Sequence, residues 1–202
     1  MRTKYKPWAL PYIESHLDYS LSDEEISSLD DFYLEIGSGK GDFILKMCQK
    51  FPERKFVGVE KNVTCAGIAL KKLVEAEIEN VKFLYKDGFD VIKLIKDHSV
   101  NILYLNFSDP WPKRRHHKRR LTYPNFLLEY KRILKKDGLI IFKTDNSDLY
   151  AYSLEAFNES GLKVISINEN YSELDRDDVT TEYEEYFRNE GTPIKRVVIQ
   201  ND

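Results

Sequence analysis

Two cysteines in 202 residues, Cys48 and Cys65, are too few for a disulfide framework. Neither belongs to a C-x-x-C pair or has a histidine at ligand spacing, which fits a reducing compartment and argues against structural zinc. Internal repeats and low-complexity tracts are missing, and no apolar stretch is long enough to span a membrane. The N-terminal MRTKYKPWALP carries charge but no apolar core of the kind a secretory leader needs. These absences lead us to expect a soluble, cytoplasmic protein with no membrane association, no bound metal and no obligatory protein partner. Nucleotide signatures are missing too. No G-x-x-x-x-G-K-[ST] occurs, and Asp42 stands where a dinucleotide fingerprint requires glycine or alanine.

What is present is charge, unevenly placed. A formal net charge of -3 hides acid gathered at 14–31 and 169–187, and base gathered at the N-terminus and in SDPWPKRRHHKRR, residues 108–120. Lys113 to Arg120 are all Lys, Arg or His. A lone charge run usually marks a solvated face. This one follows two prolines and a Trp and sits in no helical or strand pattern, so a phosphate-facing loop is expected.

Length and apolar content suit one domain over 1–202 with a short basic N-terminal extension. Apolar runs at 32–37, 55–60, 80–87, 100–109 and 138–145 read as strands, separated by segments of helical spacing such as GDFILKMCQKF. This alternation predicts an α/β fold: a mostly parallel sheet with helices on both faces. LKVISIN and PIKRVVIQ then allow an antiparallel edge. Each parallel strand delivers a carboxylate at its end: Glu35, Glu60, Asp87, Asp109 and Asp145. The carboxyl ends of such strands form the ligand crevice, although any one of these acids could be a turn former or a cap. Between the first strand and its helix lies GSGKG, a backbone able to approach a ligand at a helix N-terminus. Glu60, some twenty residues on, suits a ribose diol, and an acidic pocket suits a cationic cofactor.

EIGSGKG, GVEKN, LNFSDPWPKRRHHKRRLTYP, FKTDN and TEYEEYF resemble the bacterial tRNA (guanine-N7)-methyltransferases over nearly the whole chain. The resemblance implies a Rossmann-like class I methyltransferase with a seven-stranded sheet and an antiparallel last strand. The implied enzyme uses S-adenosylmethionine to methylate a guanine in the variable loop of tRNA. It further implies that Glu35, Gly37, Gly39, Glu60, Asp87 and Asp109 hold the cofactor, with Asp109 also catalytic. Lys113, Asp145, Thr181 and Glu184 are implied to bind substrate, and Arg115, His116, His117, Lys118, Arg119 and Arg120 to contact RNA. On spacing alone Thr181 and Glu184 form a capping box, Asp145 caps the next helix, and Trp111 braces its loop. The alternatives are an exocyclic-amine methyltransferase, which carries D-P-P-Y or N-P-P-Y where this chain has Asp109 followed by PWP, and a non-catalytic RNA-binding module on the same fold. A Rossmann dehydrogenase is disfavoured by Asp42.

Overall fold

Apolar runs and helical patterns alternate as expected in the computed structural model, which describes residues 3–202. Met1 and Arg2, the start of the expected basic N-terminal extension, lie outside the described residues. Two compact units result, one reaching to Lys96 and the other running from Asp97 to Asp202. Seven strands form a mixed sheet, mostly parallel.

The first unit comprises α1 (Ala9–Glu14), α2 (Asp23–Ser28), β1 (Phe32–Ile36), α3 (Asp42–Lys50), β2 (Phe56–Glu60), α4 (Val63–Glu75), β3 (Val81–Tyr85) and α5 (Gly88–Leu94). Its strands pair in parallel, with Ile36 opposite Val59 and Glu60 opposite Tyr85. Leu34, Ile36, Val57, Val59, Phe83 and Leu84 are all buried, the near-continuous burial of strands covered on both faces. Ile44 and Met47 of α3 and Leu70 and Leu73 of α4 join this core, each worth roughly 1.5–3 kcal/mol of apolar burial. Asn62 caps α4 by accepting from Thr64 and Cys65 N–H, each at 3.1 Å. The acidic stretch, where the sequence suggested no element, forms short helices. Ser22 and Glu25 close a reciprocal capping box on α2, which holds the Glu25 carboxyl below its usual range. Asp23 and Asp30 pair with Lys86 and Lys96.

The second unit comprises β4 (Val100–Asn106), α6 (Pro124–Ile133), β5 (Leu134–Thr144), α7 (Ser147–Glu159), β6 (Lys163–Asn168), α8 (Glu182–Asn189) and β7 (Lys195–Gln200). β4 and β5 are parallel, with Asn106 opposite Lys143. β7 is antiparallel to both β5 and β6, the antiparallel edge expected from the last two apolar runs. β5 starts earlier than expected. Its first residues bulge, for Leu134 pairs with Val100 and the next partner, Leu139, with Ile102. The Asn201 side chain fastens this bulge by donating to the carbonyls of Lys131, Leu134 and Lys135.

Candidate functional site

In the first unit one strand-end carboxylate, Glu60, is tied to the glycine loop. Gly37 and Ser38 N–H both donate to Val59 O, and Gly37, Gly39 and Gly41 have φ of 78°, 55° and 80°, values side chains resist. Gly41 is required twice over: a Cβ there would meet Ala69 of α4 at 2.7 Å. A Cβ on Gly39 would meet nothing within 4 Å, so open space lies against that part of the loop. Beside it, Glu60 accepts from Gly39 N–H (2.9 Å) and from Asn62 N–H (2.7 Å). A carboxylate offers about four lone-pair sites, which leaves acceptor capacity at the loop for a diol. The residues therefore fit a ribose-bearing, cationic cofactor: open backbone at Gly39 and, beside it, an acceptor that is itself anionic. Glu35 is 3% exposed in β1. It acts on Cys48, whose thiol is pushed up to about 12, first by burial and then by the Glu35 charge. Asp87 caps α5, accepting from Phe89 N–H at 2.9 Å, and lies 3.8 Å from Lys61 Nζ. Asp42 is ion-paired with Lys72 of α4, a structural reason for the residue that breaks the dinucleotide fingerprint.

In the second unit the chain leaves β4 under strain. Phe107 and Trp111 have φ of 50° and 40°, outliers for bulky residues, and they bracket the exposed Asp109. Such conformations persist only where surrounding structure enforces them. Phe107 N–H is anchored to Lys143 O at 2.8 Å. Arg120 holds the other end. It donates from Nε to Pro110 O (2.8 Å) and from NH2 to Trp111 O (3.5 Å), with its guanidinium 4.3 Å from the Tyr152 ring centroid. At 4% exposure it differs from its neighbours: the sequence placed Arg120 among RNA contacts, whereas here it is the brace of the DPWP turn. The basic run also forms a 3-10 turn over Arg114–Arg119, where the sequence suggested an irregular loop. Lys113, Arg115, Lys118 and Arg119 are exposed along it. His116 packs edge-on to Trp111, His117 packs against Tyr152, and Arg119 lies over the Trp111 ring. Trp111 thus packs within the loop. Among the described residues no group of His, Cys, Asp and Glu could hold a metal, and no helix is long and apolar enough to cross a membrane.

Asp145, just past β5, is not the cap of α7. Asn146 is, accepting from Leu149 N–H at 2.8 Å, so the Asp145 carboxylate is not spent on capping. Thr181 does cap α8, accepting from Glu184 N–H at 2.9 Å. The Glu184 side chain goes elsewhere. Lys143, Asp178 and Glu184 have side chains with 0% exposure, and Lys143 Nζ donates to Asp178 Oδ1 (2.8 Å), Asp178 Oδ2 (3.0 Å) and Glu184 Oε2 (2.9 Å). Arg188 takes the other Glu184 oxygen. This cluster escaped the sequence reading, although a lone lysine inside the apolar run LIIFKTD is the mark of a buried, paired charge.

Residues 30–197 match the family described as "Putative methyltransferase". The chain is 40% identical over 208 residues to the "tRNA (guanine-N(7)-)-methyltransferase" of Pediococcus pentosaceus, covering 98% of each chain. It is 41% identical over 206 residues to the protein of the same name from Staphylococcus haemolyticus, covering 98% of this chain and 96% of that one. A solved "SAM dependent methyltransferase from Aquifex aeolicus" matches with a TM-score of 0.57 at 14% identity, over 98% of this chain and 100% of that one. That likeness establishes a shared fold, the Rossmann-like arrangement expected from the strand pattern.

Proposed function

Because the chain belongs to the tRNA (guanine-N(7)-)-methyltransferase family, we propose that it transfers a methyl group from S-adenosylmethionine to N7 of a guanine in the variable loop of tRNA. The observation that carries this reading is the strained turn after β4, which holds Asp109 exposed next to a row of exposed cations. Glu35, Glu60, Asp87 and the loop glycines Gly37 and Gly39 hold the cofactor, with Glu60 accepting from the ribose hydroxyls. Bound there, S-adenosylmethionine supplies an electrophilic methyl group. Lys113, Arg115, Lys118 and Arg119 face RNA phosphate, which supplies affinity with little sequence information. His116 and His117, half-buried against aromatic rings, shape that face more than they extend it.

Guanine N7 carries an in-plane lone pair and no proton, so no general base is needed at the nucleophile. Positive charge appears on the purine as the N7–methyl bond forms. The Asp109 carboxylate favours that charge from a position fixed by the braced turn, the kind of preorganised electrostatic stabilisation that lowers a barrier. For reading the N1–H and amino edge of guanine, Asp145 is better suited than Glu184, whose oxygens are taken by Lys143 and Arg188.

Incubating a tRNA mixture with methyl-labelled cofactor and mapping the product by mass tests the reading; label on any atom but guanine N7 refutes it. Asp109→Asn is expected to keep the fold and tRNA binding while losing on the order of a hundredfold in single-turnover rate. Turnover at the unsubstituted rate would remove Asp109 from the reaction.

A further inference from the structure

Helix α8, EYEEYFRN, is inside out. Glu184 is buried with 0% exposure, while Tyr183 and Tyr186 are 42% and 56% exposed. Burying a carboxylate and displaying aromatic rings reverses the usual preference of both. The ion cluster explains how the helix is held in this orientation, for Lys143 and Arg188 compensate the Glu184 charge. Tyr183 and Phe187 are four residues apart and so share a helix face. That face meets Phe107, whose ring lies 6.3 Å from Tyr183 with 19° between planes and 6.2 Å from Phe187 with 20° between planes. Three rings of nearly common orientation result. Two further observations place them at a working site. Phe107 is one of the two strained residues of the turn, at φ 50°, and the adjoining Ser108 hydroxyl is buried without a hydrogen-bond partner among the described residues. Strain and unsatisfied polar groups gather where a ligand is handled.

We propose that Phe107, Tyr183 and Phe187 form a stacking surface for an unstacked purine base of the RNA, the guanine that is to be methylated. The inference rests on the reading of the protein as a tRNA methyltransferase and adds to it the surface that receives the base. Phe107 is two residues from Asp109, at most about 7 Å of chain, so a base lying on these rings is within reach of the Asp109 carboxylate. The cations of the turn follow within a few residues and suit the phosphates on either side of that base. Every nucleobase has a face to stack, and single-strand readers use aromatic side chains in this way.

Two measurements test it. A tRNA transcript carrying 6-thioguanosine at the target position is irradiated on the full-length protein, and the adduct is mapped by mass spectrometry. Attachment to Phe107 or to residues 183–187 is expected; attachment confined to other segments overturns the proposal. In parallel, Phe107→Leu and Tyr183→Leu are expected to lower kcat/KM for tRNA fivefold or more, while calorimetric affinity for S-adenosylmethionine is retained. Tyr183→Phe, which restores a ring, is expected to recover most of the loss. Tyr183 is surface-exposed, so its leucine variant folds even where the Phe107 variant does not. Leucine variants within twofold of the unsubstituted protein overturn the stacking surface. Absent N7 methylation by the unsubstituted protein, with the adduct still on these rings, refutes the methyltransferase reading and leaves the surface standing.

Discussion

Replacing Lys143 by Met probes the buried ion cluster most directly. Lys143 and Arg188 face Asp178 and Glu184, two cations against two anions, and the Lys143, Asp178 and Glu184 side chains are wholly enclosed. Met matches the lysine stem in volume, so little packing is lost, but two buried carboxylates are left facing one guanidinium. Breaking a buried pair by removing one partner costs about 3–5 kcal/mol, because the surviving charge stays desolvated. For a chain of this length each kcal/mol moves the melting temperature by roughly 2–4 °C. A fall of roughly 6–20 °C in thermal unfolding followed by circular dichroism is therefore expected. Adding Asp178→Asn and Glu184→Gln to Lys143→Met removes the stranded charges and should recover at least half of the loss. A Lys143→Met protein melting within about 3 °C of the unsubstituted one would show that the cluster contributes no net stability. A triple variant no better than the single one would assign the loss to packing and refute the electrostatic argument.

Arg119 and Arg120 should separate cleanly. Arg119→Ala is expected to flatten the dependence of log affinity for tRNA on log salt by roughly one unit. Arg120→Ala should leave that slope alone and slow single-turnover methylation, since it loses the 2.8 Å charge-assisted hydrogen bond to Pro110 O, worth about 1.5–3 kcal/mol; a reduced slope for Arg120→Ala would return it to the RNA face. Glu60→Ala is expected to weaken S-adenosylmethionine binding by about 1.5–3 kcal/mol, read by calorimetry, and unchanged affinity would remove Glu60 from the cofactor site. Cys48 should resist iodoacetamide in the folded protein and react in urea. Its raised thiol pKa adds stability that is complete below about 9 and fades as pH rises toward about 12, so labelling of the native protein at the rate of a free thiol would refute the burial argument.

Much of this protein was settled by short-range rules. The strands and their terminal acids, the glycine loop, the Asn62 cap and the antiparallel edge all follow from apolar periodicity and turn chemistry within a few residues, which sequence order displays directly. Residues 14–31 were also legible in principle, since the S-x-x-E of Ser22 and Glu25 is a helix-start signal, though acidic composition masks it. Long-range partners were beyond such rules. Arg120 looks like its seven neighbours in the basic run, and only the position of Tyr152 and of the Pro110 and Trp111 carbonyls turns it inward to become a brace. Asp145 and Asn146 are both good caps by composition, and the path of the chain out of β5 decided that Asn146 serves. Glu184 kept the backbone half of its capping motif, but its carboxylate went to a lysine 41 residues away in sequence. A side chain's fate in such cases depends on which charges and carbonyls the folded backbone brings within about 3 Å, a distance that sequence separation does not encode.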